Sequence, residues 1–226
     1  MGTLYLVRHG QASFGADNYD QLSPLGHEQG VRLGRYWART GFAPDAVLTG
    51  TLQRQRQTWA AIREGLGDAA HSLEAVECDC LNEYDSDAVI RAIYREPLPP
   101  PDTPELYRAH FHRLRDGLTQ WMAGTVSPEG MPSYDDFARG VATVLAHVRE
   151  HHLGQRVLVV SSGGPIATAV GQVLGTSPET TINLNMRIRN SAVSQTEFNA
   201  RRHSLITFNG LPHLGEPGDE GLVTYT

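Results

Sequence analysis

The chain has 226 residues, 40% of them hydrophobic and 19% charged, with a formal net charge of −6. This mixture argues against a disordered or membranous chain, since it can fill a substantial core and no apolar run approaches the roughly 18–20 residues of a membrane span. An acidic balance without a basic stripe argues against nucleic acid and membrane partners.

Leu4-Tyr5-Leu6-Val7 is a short apolar, β-prone run, read as a buried strand over about 3–8. A polar loop then leads to a helix from Ser23, a natural N-cap, to Arg39. A strand over about 45–49, a helix over about 52–65 and a short strand near Leu73 to Val76 follow. From Asp85 to Gly130 the pattern turns helical and is punctuated by Pro97-Leu98-Pro99-Pro100-Pro101, which should end a helix near Ile90 and start a stiff extended connection. Helices over Glu105–Met122 and from a Ser133 cap to about His151 come next. A buried strand (157–161), a helix (about 164–174) and a hairpin (about 188–198 and 203–208) close the chain. The hairpin turn Asn199-Ala200-Arg201-Arg202 lacks glycine, which leaves its register open. Alternating β and α elements predict a three-layer α/β/α sandwich with a mainly parallel central sheet. Residues 85–132 are expected to form a helical cap inserted in one domain spanning 1–226.

All 19 basic residues are arginine, which codon bias explains without any functional role. Residues 1–63 carry seven Arg against four acids, whereas 64–136 carry five against fifteen and 137–226 seven against six. Cys78 and Cys80 form a C-x-C too tight for an ordinary disulfide and without companion ligands, so no metal site is expected. His147, His151 and His152 suit the C-terminal dipole of a helix, and His110 and His112 point to different helix faces. Trp37, Trp59 and Trp121 read as packing residues, with Trp121 also able to line a pocket under the cap.

Function is written where strands end, the place at which open α/β sheets bind ligands. Strand 1 runs into Arg8-His9-Gly10, which supplies a planar donor fork for phosphate oxygens, a nucleophilic imidazole and a flexible backbone. Strand 2 passes through Thr49-Gly50-Thr51 into a helix whose first turn carries Arg54, where a helix N-terminus already favours anions. Leu81 leads to Asn82-Glu83, and Val157-Leu158-Val159-Val160 leads to Ser161-Ser162-Gly163-Gly164-Pro165.

In order and spacing these pieces resemble the histidine phosphatase superfamily, the phosphoglycerate-mutase-like proteins, from Leu4 to about Leu214. The resemblance implies that His9 becomes phosphorylated, that Arg8 and Arg54 hold the phosphoryl oxygens, and that Glu83 is the proton donor. Thr58 completes the family's R-x-x-x-T, Leu22-Ser23-Pro24-Leu25-Gly26-His27-Glu28-Gln29 resembles its L-T-x-x-G-x-x-Q, and Asn209 to Leu214 its closing N-D-x-x-H-L. The chain departs from the pattern where a second histidine normally precedes the Gly-Gly turn, because that position is Ser162. Ala12 and Gly15 replace the Thr and Asn that usually follow R-H-G, with Ser13 a nearby hydroxyl. Loss of one preorganised donor costs about 100–1,000-fold in rate.

The expected function is a phosphoric monoester hydrolase working through a phosphohistidine. His9 and Glu83 are its catalytic residues, and Arg8, Arg54, Ser162 and Gly163 bind phosphate, with Gly10 and Ser13 as further pocket residues. A phosphorylated small molecule or phosphoprotein is the expected partner, no cofactor is required, and the location is cytoplasmic. The alternatives are a degenerate phospho-ligand-binding protein, kept open by Ser162, and a mutase-type phosphotransferase, which an acidic cap suits poorly.

Overall fold

A computed structural model describes residues 1–13, 20–96, 99 and 103–225. Gly15 and most of the proline-rich connection lie outside these residues. The elements are β1 (Gly2–Arg8), α1 (Pro24–Arg39), β2 (Ala46–Thr49), α2 (Gln53–Leu66), β3 (Ala75–Glu77), α3 (Ser86–Arg91), α4 (Pro104–Met122), α5 (Tyr134–His151), β4 (Arg156–Ser161), α6 (Gly163–Leu174), α7 (Pro178–Asn185), β5 (Val193–Phe198) and β6 (His203–Gly210).

The six strands form one sheet in the order β3-β2-β4-β1-β5-β6. The first four are mutually parallel, and β5 and β6 are added antiparallel. Alternation along β1 and β4 divides the core. Leu4, Leu6, Val157 and Val159 pack with Val144 and Val148 of α5 and Ile166 and Val170 of α6. Val7, Leu158 and Val160 face the other way, onto Leu33 and Trp37 of α1 and Trp59 and Ile62 of α2. Helices on both faces give the α/β sandwich expected from the sequence. A third cluster joins α3, α4 and α7 through Val89, Leu114, Leu118, Trp121 and Ile182.

Ser23 and Ser133 cap α1 and α5 as anticipated, their hydroxyls accepting from Gly26 N–H and Asp136 N–H. Helix α7 was not anticipated, although Ser177 as cap, Pro178 in the first turn and Glu179 behind it are an ordinary start signal. The hairpin's first strand begins at Val193 rather than near 188. The intervening backbone is used elsewhere: Asn190 N–H bonds to Thr224, Ser191 N–H bonds to His9, and Ser191 has φ +57°. The glycine-free turn is closed by Asn199, whose Oδ1 accepts from Arg201 and Arg202 N–H groups at 2.8 and 3.1 Å. Phe198 consequently pairs with His203.

The reading of Cys78 and Cys80 as too close for a disulfide is corrected: they are joined as one. Cys78 is extended and Cys80 lies in the 3-10 turn Asp79–Leu81, which brings the Cα atoms to 5.3 Å, within the ordinary disulfide range. Both sulfurs are thereby withdrawn from thiolate chemistry.

Candidate active site

Parallel pairing brings the ends of β1 and β4 together. Arg8 pairs with Ser161, and His9 N–H donates to the Ser161 carbonyl at 2.8 Å. The chain then turns through Gly10, where a Cβ would lie 2.3 Å from the Gly26 carbonyl oxygen, so only glycine lets this loop touch the first turn of α1. Gly10 N–H donates to Thr58 Oγ1 at 3.0 Å, and the Thr58 hydroxyl donates to the Arg54 carbonyl at 2.7 Å. Gln29 Oε1 accepts Gln11 N–H at 2.9 Å, while its Nε2 donates to Leu222 O and Thr224 Oγ1. Motif residues Gly10, Thr58 and Gln29 therefore fasten the loop that carries His9.

His9 is buried, with only 3% of its surface exposed. Its Nδ1 lies 2.7 Å from the Gly10 carbonyl, which can only accept, so Nδ1 carries the proton. Nε2 is left with its lone pair and accepts from Arg54 Nε at 3.2 Å. Burial lowers the His9 pKa well below the usual histidine value, and the charges of Arg8 and Arg54 lower it further. The imidazole is neutral at pH 7.

Arg54 enters this site from the first turn of α2, and its Nη1 donates to Asp20 Oδ1 at 2.7 Å. The other Asp20 oxygen accepts Gln53 N–H at 2.9 Å, so a carboxylate sits at this helix N-terminus. Arg8 Nη1 donates to the backbone carbonyls of Ile188 and Tyr225, the latter at 2.8 Å.

Glu83 follows Asn82, whose side chain bonds Thr51 N–H and Thr51 Oγ1 at 2.7 Å each and pins this connection to the start of α2. Both Glu83 oxygens lie 3.1 Å from Gly164 N–H in the first turn of α6. A Cβ on Gly164 would stand 2.2 Å from Glu83 Oε1, and one on Gly163 would stand 2.6 Å from Asn185 Oδ1. The Gly163-Gly164 pair thus leaves room for a protein carboxylate at the helix N-terminus. Burial raises the Glu83 pKa, opposed by the Gly164 N–H and by the charges of Arg54 and Arg8. Beside Glu83 a cavity is lined by Tyr84, Trp121, Tyr134, Phe137, Thr168 and Asn185.

Ser162 is completely buried directly before this turn, and its Oγ accepts from Gln55 Nε2 at 2.9 Å. Ser13 is held by its backbone to Gln21, and no hydrogen bond joins its hydroxyl to the site among the described residues. The sequence reading singled out neither Gln55 nor Asn190, whose Nδ2 donates to the His9 carbonyl at 3.2 Å. No local motif marks either one. Gln29 lies in the L-T-x-x-G-x-x-Q-like segment, but spacing does not encode its tie to the far end of the chain.

The family model described as histidine phosphatase superfamily (branch 1) matches residues 4–210. The chain belongs to this superfamily. A 2,3-bisphosphoglycerate-dependent phosphoglycerate mutase from Chelativorans sp. is 41% identical over 90 residues, covering 37% of this chain and 43% of the relative, so the chain matches under half of that protein's length. The mutase of the same description from Methylorubrum populi is 28% identical over 195 residues, covering 81% of this chain and 84% of the relative. The fold is also that of a phosphoserine phosphatase from Entamoeba histolytica solved with 3-phosphoglyceric acid, at TM-score 0.65 and 17% identity, covering 95% of this chain and 100% of that one. This branch 1 chain thus has both phosphatases and mutases among its likenesses. Within it, Arg8, His9, Arg54 and Glu83 converge at one end of the sheet, and the place before the glycine pair is filled by a hydroxyl.

Proposed function

We propose that the protein is a phosphoric monoester hydrolase that works through a phosphohistidine on His9. The observation that carries this reading is the tautomer. Nδ1 is tied to the Gly10 carbonyl, so the Nε2 lone pair of a neutral, buried imidazole faces Arg54. In the proposed cycle Nε2 attacks phosphorus as the ester P–O bond breaks, and Arg54 and Arg8 take up charge on the equatorial oxygens. Ser162 and Gly163 complete the phosphate cradle, and Gly10 and Ser13 border it. Glu83, whose carboxyl is biased toward its protonated form, gives its proton to the leaving oxygen. Water then attacks the phosphohistidine, Glu83 takes back a proton, and the P–N bond breaks to release phosphate.

Residues 85–132 act as the cap of a single domain and select the leaving group. Hydrolysis is preferred over mutase chemistry because residues 64–136, which include that cap, hold five Arg against fifteen acids, a poor setting for a second phosphate. The reaction takes place in the cytoplasm on a phosphorylated small molecule or phosphoprotein. No helix among the described residues is long and apolar enough to cross a membrane.

The test is a panel of phosphate monoesters assayed with His9→Ala as the control. Turnover should fall by at least about 1,000-fold in the variant, and labelled substrate should leave acid-labile, base-stable label on wild type alone. Label or turnover surviving in His9→Ala would overturn the reading.

A further inference from the structure

Gln55 lies one residue after Arg54 and is fully buried, although its side chain carries four hydrogen-bonding positions. Its hydrogen bonds all orient it the same way. Oε1 accepts Leu52 N–H at 3.3 Å, one Nε2 hydrogen goes to the Leu81 carbonyl at 2.9 Å, and the other goes to Ser162 Oγ at 2.9 Å. The Leu81 carbonyl also receives the Ser161 hydroxyl at 2.7 Å, which fixes it from a second side. Space for the amide is reserved by Gly50, where a Cβ would lie 2.0 Å from Gln55 Oε1.

The consequence falls on Ser162. Its oxygen is committed as an acceptor toward Gln55, so its own proton must point elsewhere. Among the described residues no acceptor receives that proton, although the side chain has no exposed surface. A buried hydroxyl donor without an acceptor is uncommon in folded proteins and asks for a ligand or ordered water. Ser162 directly follows the residue that takes His9 N–H and directly precedes the turn that holds Glu83. Its residue therefore joins the strand end that receives the His9 N–H to the turn that holds Glu83.

We propose that Gln55 is a positioning residue: it fixes the Ser162 hydroxyl as a donor to a phosphoryl oxygen of the ester held over His9. The pair supplies one neutral, preorganised hydrogen bond where the superfamily pattern has an imidazole. This inference rests on the hydrolase reading above and deepens it, naming the group that touches the phosphoryl oxygen and the group that aims it.

A double-mutant cycle tests the coupling, with orthovanadate affinity and turnover of p-nitrophenyl phosphate as readouts. Gln55→Met and Ser162→Ala should each weaken vanadate binding and lower kcat about tenfold, the loss expected for one hydrogen bond. KM should stay within about twofold, because the bond strengthens on the transition state. The double variant should be no worse than Ser162→Ala alone, since Gln55 acts only through Ser162. A merely structural Gln55 would lower the melting temperature and make the losses multiply. Multiplying losses, or wild-type vanadate affinity and kcat in folded Gln55→Met, would overturn the proposal. If Gln55→Met does not fold, Gln55→Glu carries the test: an ionised carboxylate takes the Ser162 proton for itself, so the same loss is expected and wild-type behaviour refutes it. Failure of the hydrolase reading shows separately, as turnover that survives His9→Ala. Failure of this inference alone shows as His9-dependent turnover indifferent to Ser162 and Gln55.

Discussion

The two walls of the site are built by opposite means. The wall of the proposed nucleophile is a net of amides and hydroxyls, in which Gly10, Thr58, Gln29, Asn190 and residues near the end of the chain hold the His9 loop from several sides. Two arginines bring fixed positive charge to it. The wall of the proposed acid is sparser: Glu83 rests on two backbone N–H groups, those of Gly164 in α6 and of its neighbour Tyr84, with the Tyr84, Trp121 and Phe137 rings clustered alongside. Both walls favour the uncharged partner. Burial and neighbouring arginines keep His9 unprotonated, while burial moves Glu83 toward its acid form. Different environments on each side thus suit His9 to the proposed role of nucleophile and Glu83 to that of proton donor.

The largest way to break the comparison is to remove the acid and leave the nucleophile. Glu83→Gln should cut turnover of an alkyl phosphate by about 100–10,000-fold, the usual reach of general acid catalysis. The loss on p-nitrophenyl phosphate should be far smaller, because its leaving group departs without a proton. Wild-type turnover of the alkyl ester should persist above the ordinary carboxyl range and fall as pH rises through the elevated Glu83 pKa. The depressed His9 pKa should place any acid limb well below 6.5. Equal losses on both esters would remove Glu83 from proton transfer.

A smaller change sharpens the contrast. Gly164→Ala puts a methyl 2.2 Å from Glu83 Oε1 and 2.5 Å from the Tyr84 ring, on the sparse wall only. Overpacking of this kind costs about 1–3 kcal/mol of stability. Turnover of the alkyl ester should fall at least tenfold, in proportion to the displaced acid, while inorganic phosphate affinity changes little. Thermal melts and phosphate titration check both halves, and a variant with unaltered kcat would show that Glu83 does not depend on this turn.

The difference between the walls also explains what could be read from sequence. Strand ends and helix starts follow local rules, so Arg8, His9, Arg54 and the Gly163-Gly164 turn were legible as a set. Ser23 and Ser133 announced their helices by cap chemistry. Fasteners act across the chain instead. Gln29 reaches residues 222 and 224, Gln55 reaches Ser162, and Asn190 reaches His9, and no spacing encodes such pairings. Helix α7 carries a start signal in Ser177-Pro178-Glu179, and β5 starts late because Asn190 and Ser191 are drawn into the site. The disulfide is not legible from a two-residue separation, because its geometry depends on the backbone turn between the cysteines.

The smallest expected effect concerns the back of the nucleophile wall. His213 Nε2 lies 2.9 Å from Ser191 Oγ, and Ser191 N–H donates to the His9 carbonyl. His213 Nδ1 is buried without a partner among the described residues. An orphaned acceptor is tolerated more readily than an orphaned N–H, which places the proton on Nε2. Burial, with Arg32 adding to it and Asp219 opposing, lowers the His213 pKa to about 3. In the unfolded chain a histidine binds its proton near pH 6.5. Between these values the unfolded state holds more protons than the folded one, so the stability contributed by His213 is present above pH 6.5 and lost as pH falls toward 3. His9 and His203 shift in the same direction, and the whole protein should weaken on acidification. His213→Gln removes one share: the difference in unfolding free energy between pH 7 and pH 4.5 should shrink by about 2–3 kcal/mol. For a chain of this size that corresponds to roughly 4–12 °C in the melting shift. Chemical denaturation at the two pH values reads it directly. An unchanged acid sensitivity in the variant would mean that His213 titrates normally, and the support it gives Ser191 behind His9 would have to come from another contact.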